Sequence, residues 1–72
     1  MSDFVLCIRN DDYPESLVVG KVYRRLPDPD AEAHGMIRVI DEDGDPDGYL
    51  FPADRFVPVE LPEEARRILM RA

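Results

Sequence analysis

Apolar and polar residues alternate along several short segments of the chain, which is the pattern of β-strands with one buried face. We predict five strands, over residues 3–9, 21–26, 36–41, 49–51 and 56–60. Pro52 separates the last two strands and favours a one-turn corner, after which Phe56 re-enters the core. In the second strand, Val22 and Leu26 alternate with basic residues. The chain is therefore predicted to be mainly β.

The connections between these strands are rich in turn-forming residues. Residues 10–16 contain Asn, Asp, Pro and Ser and predict a loop. Residues 27–35 predict one helical turn, capped by Asp30 and closed by Gly35 in a left-handed conformation. Two Asp-Gly pairs within residues 42–48 predict a hairpin turn between the third and fourth strands.

Residues 62–71 have the spacing of a short amphipathic helix. Pro62 suits the first helical position, and Glu63 and Glu64 suit its positive end. The apolar residues fall on one side of this helix, namely Leu61, Ala65, Ile68, Leu69 and Ala72. So short a helix is not stable alone in water, so its apolar face must dock on the sheet or on another subunit. The sequence leaves these two possibilities open.

The length and the charge of the chain limit the classes of protein to which it can belong. Its 72 residues predict a single domain, 1–72, with a thin core. The formal net charge is −7, which repels phosphate backbones and disfavours nucleic-acid binding. One basic residue, Arg38, lies between residues 27 and 54, against nine acids: Asp28, Asp30, Glu32, Asp41, Glu42, Asp43, Asp45, Asp47 and Asp54. One side of the molecule is therefore expected to be acidic.

Few residues suit covalent or redox chemistry. Cys7 is the single cysteine, so no internal disulfide is possible, and we expect it to pack as a small apolar group. His34 is the single histidine and is expected to be exposed or to cap a helical turn. We therefore predict no catalytic residues, no cofactor and no enzyme. Because we find no signal peptide or membrane span, we expect a cytoplasmic protein without membrane contact.

The predicted arrangement resembles a Src-homology-3-like (SH3-like) barrel over roughly residues 3–60. Residues 17–23 resemble the segment that enters the second strand of that fold. Residues 48–52, followed by Phe56 and Val57, resemble its closing strand, one-turn corner and last strand. The resemblance implies a small antiparallel barrel of about five strands with the C-terminal helix added, and it implies no function.

The chain also resembles a group of small, uncharacterised bacterial proteins. The shared features are a Cys-Ile pair, a Gly-Lys-x-Tyr segment, an Arg-Val-Ile-Asp-Glu strand, a Tyr-x-x-Pro-Ala corner and a Val-Pro-x-Glu-Leu-Pro lead into a helix. Here they are Cys7-Ile8, Gly20 to Tyr23, Arg38 to Glu42, Tyr49 to Ala53, and Val57 to Pro62. This resemblance brings no known activity.

Peptide-binding members of the SH3-like class hold polyproline ligands with aromatic side chains that include a tryptophan. This chain has no tryptophan. A groove could be lined by Tyr13, Tyr23, Tyr49, Pro52 and Phe56. Packing in the core explains most of these residues.

Residues 43–54 have the spacing of a calcium-binding loop. Oxygen ligands would come from Asp43, Asp45, Asp47 and Asp54. Against a full calcium site, the twelfth position is Asp in place of Glu, Pro52 lies inside the loop, and the flanking segments are predicted strands. A polar hairpin tip has the same composition, so weak calcium binding is the most that we expect.

Three hypotheses about the function remain after these exclusions. The leading hypothesis is a non-catalytic protein–protein interaction module with an acidic face and an unidentified protein partner. Its candidate interaction residues are Asp41, Glu42, Asp43, Asp45 and Asp47, with Ile68 and Leu69 on the helix. The alternatives are a calcium-responsive domain that uses residues 43–54, and a structural homodimer adaptor that pairs through residues 61–72.

Overall fold

The computed structural model describes residues 3–71 of the chain. Its main elements are β1 (Phe4–Cys7), β2 (Val22–Leu26), α1 (Pro29–Glu32), β3 (Met36–Val39), β4 (Tyr49–Pro52), β5 (Phe56–Val59) and α2 (Glu63–Arg71). A short 3-10 turn over Ala53–Arg55 joins β4 to β5. The prediction of a mainly β chain with a short C-terminal helix is confirmed.

The five strands form one antiparallel sheet in the order β4-β3-β2-β1-β5. Each of the strands β1 to β4 pairs with the strand that is next to it in the sequence. Strand β5 pairs with the free side of β1. Strands β4 and β5 therefore lie at the two edges. Within residues 3–71 the sheet is open between these edges, so the predicted closure into a barrel is not observed.

The hydrophobic core lies on one side of this sheet, under residues 8–21, which join β1 to β2 and are called the first long connection. Its buried members are Val5, Cys7, Leu17, Tyr23, Ile37, Val39, Phe51 and Phe56. Cys7 packs there as predicted, and burial raises the pKa of its thiol. In β2, Tyr23 and Arg25 are buried, whereas Val22 and Leu26 are only half-buried.

The predicted corner after Pro52 is confirmed. Phe51 stacks edge to face on Phe56, with 6.2 Å between ring centroids, so the last residues of β4 and the first of β5 share one part of the core. The Arg55 carbonyl accepts a hydrogen bond of 2.9 Å from the Ile8 amide. This bond joins the corner to the end of β1.

Helix α1 is the single turn that the sequence predicts, but its cap is a different residue. The Asp28 carboxylate accepts the Ala31 amide hydrogen at 3.1 Å, whereas Asp30 lies inside the first turn. The prediction of Asp30 as the cap is wrong because Pro29 has no amide hydrogen and suits the first helical position, which moves the cap back by two residues. Gly35 adopts the predicted left-handed conformation, with φ +74°.

Helix α2 contacts its own chain by one side, but none of its described residues is buried, so its predicted apolar face is only partly covered. Arg66 forms an ion pair of 2.9 Å with Asp3, and its guanidinium lies 5.9 Å from the centre of the Phe4 ring. Leu69 borders a cleft that Phe4 also lines. Ile68 remains 61% exposed, and Ala72 lies outside the described residues. No helix in the described part of the chain is both long and apolar enough to cross a membrane.

Candidate functional site

The acidic loop, defined here as residues 41–48, consists of two turns in succession. The Gly44 amide donates to the Asp41 carbonyl at 3.0 Å, and the Gly48 amide donates to the Asp45 carbonyl at 2.9 Å. In each turn, the first aspartate carboxylate also accepts the amide hydrogen two residues further along, at 3.1 and 2.9 Å. Aspartate at the start and glycine at the end of a turn supply these bonds locally. The predicted hairpin connection is therefore confirmed, as a loop of two turns.

Glu42 fixes the base of the acidic loop to the sheet. Its carboxylate accepts a hydrogen bond of 2.5 Å from the Tyr23 hydroxyl and lies 2.6 Å from the Lys21 ammonium. The Tyr23 hydroxyl accepts a bond of 2.8 Å from the Val18 amide. The Glu42 amide donates to the Ser16 carbonyl at 3.0 Å. These bonds hold the loop against β2 and against the first long connection.

The same contacts determine the charge states at this base. Hydrogen bonds from Lys21 and then Tyr23 lower the pKa of the Glu42 carboxyl. Burial raises the pKa of the Tyr23 hydroxyl, and its bond to Glu42 raises it further. At neutral pH, Glu42 is therefore the charged acceptor and Tyr23 is the protonated donor.

Arg38 and Gly48 fix the other end of the acidic loop. Arg38 forms an ion pair of 2.9 Å with Asp28, the cap of α1, and donates to the Asp47 carbonyl at 3.2 Å. Gly48 has φ +68°, and a Cβ atom there would lie 2.9 Å from the Val39 carbonyl oxygen. Only glycine fits this close approach without strain. The loop is thus held at both ends, and its tip, residues 43–47, is mostly exposed.

The predicted interaction residues of the loop have different environments. Asp41 is buried, at 6% exposure, and its carboxylate is used inside the turn. Glu42 is engaged by Lys21 and Tyr23. Asp43 and Asp47 are exposed and Asp45 is half-buried. Asp43 and Asp47 therefore offer exposed carboxylates at the tip, whereas the exposed Glu42 carboxylate is already paired with Lys21.

An open cleft of about 290 Å³ lies between the first long connection and the acidic loop. We call it the aromatic cleft; it is lined by Tyr13, Ser16, Asp41, Asp43, Tyr49, Leu50 and Phe51. Tyr13 stacks edge to face on the buried Phe51, with 5.1 Å between ring centroids. Tyr49 and Leu50 are 51% and 41% exposed. The lining therefore combines four aromatic or aliphatic residues with Ser16 and two aspartates of the acidic loop.

Sequence reasoning named a possible groove of five residues, of which Tyr13 and Tyr49 line this cleft, but it kept core packing as the main explanation. It assigned most aromatic residues to the core, which is correct for Tyr23 and Phe56. Tyr49 shares the strand spacing of the buried Phe51 but lies at the end of an edge strand, opposite Val39, where the sheet does not cover it. Tyr49 and Phe51 therefore differ in exposure because of the strand order, which local residue spacing does not predict.

The predicted calcium ligands lie on different elements. Asp43, Asp45 and Asp47 belong to the acidic loop, whereas Asp54 lies in the 3-10 turn. Asp54 forms ion pairs with Arg55 at 2.8 Å and with Arg9 at 3.8 Å. In the part of the chain that the structure describes, no three carboxylate, imidazole or thiol side chains are grouped so as to hold a metal ion. Calcium binding by this segment stays a prediction.

The structure brings one predicted helix residue, Leu69, and one predicted loop residue, Asp41, to the border of a second cleft, which is distinct from the aromatic cleft. Leu69 is 37% exposed and borders this cleft, of about 200 Å³, with Phe4 and Val22. Ile68 is the most exposed large apolar residue of the described chain. The two residues are neighbours in sequence but have different surroundings.

No protein-family model, curated protein or solved structure matches this chain. The functional assignment therefore rests on the geometry of the aromatic cleft and the acidic loop.

Proposed function

We propose that the protein is a small, non-catalytic interaction module that binds a basic segment of another protein. The observation that carries this proposal is the aromatic cleft, in which aromatic and aliphatic side chains lie beside residues of the acidic loop. In this proposal, an aromatic or large aliphatic side chain of the partner enters the cleft. Flanking arginine or lysine residues of the partner lie against Asp43 and Asp47.

The apolar residues and the charged residues of the site would have separate roles in binding, which supports this arrangement. Tyr49 and Leu50 offer exposed apolar area next to the stacked pair of Tyr13 and Phe51. Aromatic side chains bury a large area with few rotatable bonds, so such residues commonly anchor interfaces. Exposed charges around the anchor act mainly on the rate and specificity of association. The rigid anchoring of the loop lowers the entropic cost of binding.

Two features support a binder over an enzyme. The Cys7 thiol is buried and its pKa is raised, so it is a poor nucleophile at neutral pH. The His34 ring lies within 2.8 Å of the Asp30 carbonyl, on α1, and does not line the aromatic cleft. We also propose a reducing, cytoplasmic setting, which suits a chain with one cysteine.

We further propose that the sheet belongs to the SH3-like class, like the small bacterial proteins that the sequence resembles. The strand order and the 3-10 turn before β5 support this assignment. Strand β2 pairs with β1 through its first half and with β3 through its last residues, as a strand shared by two halves of a barrel does. The proposal concerns the fold alone, because this class serves many functions.

A displayed library of random peptides tests the binding proposal. We expect the wild type to enrich peptides in which arginine or lysine flanks an aromatic or large aliphatic residue. Tyr49→Ser should weaken binding of the enriched peptides by about tenfold, as expected for the loss of an interface anchor. Asp43→Lys should slow association and reduce its salt dependence. Val57→Ser, at an exposed apolar residue outside the cleft, is the matched control.

Three results would contradict the proposal: no enrichment, enriched peptides without basic residues, or binding that Tyr49→Ser and Asp43→Lys leave unchanged. The selection is run with calcium and with a chelator. Enrichment that requires calcium would favour the calcium-responsive alternative.

A further inference from the structure

The two sides of α2 differ in exposure. Ala65 and Arg66 are half-buried against the body of the protein, and Arg66 reaches Asp3 and Phe4. Glu64, Ile68 and Arg71 are spaced by four and three residues, which places them on one stripe of the helix that faces away from Arg66, with Ile68 at the border of the predicted apolar side. All three are exposed. We call these three residues the outer helix face.

The outer helix face carries an acid, an apolar residue and a base in that order along the axis. Glu64 lies about 6 Å before Ile68 and Arg71 about 4.5 Å after it, at 1.5 Å per residue. If a second helix lies antiparallel across Ile68, its Arg71 meets Glu64 and its Glu64 meets Arg71. The two Ile68 side chains then meet on the symmetry axis. The pattern is therefore self-complementary under a two-fold rotation.

The ion pairs of α2 leave these two charges available. Glu63 lies 4.0 Å from Arg66 and 3.7 Å from Arg67 within the helix, and Arg66 also pairs with Asp3. Over residues 3–71, neither Glu64 nor Arg71 has an ion-pair partner. In an antiparallel pair the helix dipoles also oppose each other, which is the favourable arrangement.

We propose that a second copy of this chain covers the outer helix face, through antiparallel two-fold pairing of α2 centred on Ile68. None of the residues of the outer helix face lines the aromatic cleft. The dimer is therefore independent of the proposed peptide binding, and it presents two clefts to a partner.

The size of the contact determines its strength. A helix of nine residues is about 14 Å long and about 10 Å wide, so one face covers much less than the ~800 Å² per partner of a stable interface. We therefore expect a weak dimer that forms at high protein concentration and dissociates on dilution.

Sedimentation velocity over a range of protein concentrations, at low ionic strength, tests this proposal. The wild type should show a concentration-dependent monomer–dimer equilibrium. Ile68→Glu should be monomeric throughout, whereas Val57→Glu, at an exposed residue of β5, should dimerise like the wild type. Because α2 has no buried residue and Val57 is exposed, both variants should fold, and circular dichroism checks this.

Charge exchange tests the antiparallel geometry. Glu64→Arg and Arg71→Glu should each weaken self-association by about tenfold, because each places like charges together twice per dimer. An equimolar mixture of the two variants should form a heterodimer at least as stable as the wild-type dimer. A wild type that stays monomeric at about 1 mM would overturn the proposal. The proposal would also be overturned if Ile68→Glu dimerised as strongly as the wild type. The same holds if the mixture associated no better than either variant alone.

Discussion

The Tyr23 hydroxyl donates a hydrogen bond of 2.5 Å to the Glu42 carboxylate and accepts one of 2.8 Å from the Val18 amide. Its ring is buried in the core, with 5% of the residue exposed. One side chain therefore connects the core to the base of the acidic loop and to the end of the first long connection. The position of the acidic loop depends on this contact.

We expect Tyr23→Phe to lower the free energy of unfolding by about 1–3 kcal/mol, because both partners of the hydroxyl lose a bond in a partly buried site. Chemical denaturation measures this change. Tyr49→Phe is the matched control, since Tyr49 is half exposed, and it should have little effect. Equal stabilities of the two variants would show that the hydroxyl bonds contribute nothing.

The lowered pKa of Glu42 predicts a loss of stability in acid. Because its pKa is lower in the folded state, Glu42 contributes stability at any pH above its ordinary value. This contribution is lost as the pH falls through the lowered folded value. Glu42→Gln should therefore lose less stability than the wild type on acidification. Denaturation curves measured from neutral to acid pH check this, and parallel pH profiles would contradict it.

Gly48 and Gly44 form a matched pair for substitution. Both have left-handed backbones, with φ +68° and +73°, but a Cβ atom would approach the Val39 carbonyl only at Gly48. We expect Gly44→Ala to cost about 1 kcal/mol of stability and Gly48→Ala to cost about 2 kcal/mol or more. Thermal unfolding of both variants distinguishes the two. A larger loss for Gly44→Ala would be inconsistent with this geometry.

The ion pair between the buried Arg25 and the half-buried Glu32 predicts that removal of Glu32 destabilises the fold. Arg25 is 7% exposed, and Glu32→Ala removes a carboxylate from beside its guanidinium. We expect a loss of about 1.5–3 kcal/mol in the free energy of unfolding, because a hydrogen bond between charged groups is lost in a partly buried site. The double variant with Arg25→Met and Glu32→Leu should be more stable than Glu32→Ala alone, because no buried charge remains.

The control for this pair is Asp30→Ala, in the exposed first turn of the same helix. It should cost less than about 1 kcal/mol. If Glu32→Ala were no more destabilising than Asp30→Ala, the ion pair would not be a major source of stability.

Calcium binding can be tested by thermal unfolding with calcium and with a chelator. Asp45 accepts a backbone amide hydrogen within its turn, and Asp54 is held by Arg55 and Arg9. A cation would have to displace these contacts, so we expect the melting temperature to change by less than about 1 °C. A rise of several degrees that the chelator reverses would contradict this expectation and support a calcium switch.

The sequence by itself determined the elements that depend on neighbouring residues. Alternation over a few positions, Pro52 at the corner, the two Asp-Gly turns and the charge order of Glu63 to Arg71 predict β-strands, turns and the C-terminal helix. These features depend on backbone sterics and local hydrogen bonds, which act within a few residues. The strands are close to the predicted ranges for this reason.

Only the tertiary structure decided which side chains are buried and which groups meet. Arg25 is buried because Glu32, on the following helix, pairs with it, and Tyr49 is exposed because the sheet ends at β4. The aromatic cleft lies between the first long connection and the acidic loop, which are far apart in the sequence. Such contacts depend on strand order and on long-range packing. Residues with the same local pattern therefore have different surroundings, and the candidate site follows from the assembled sheet.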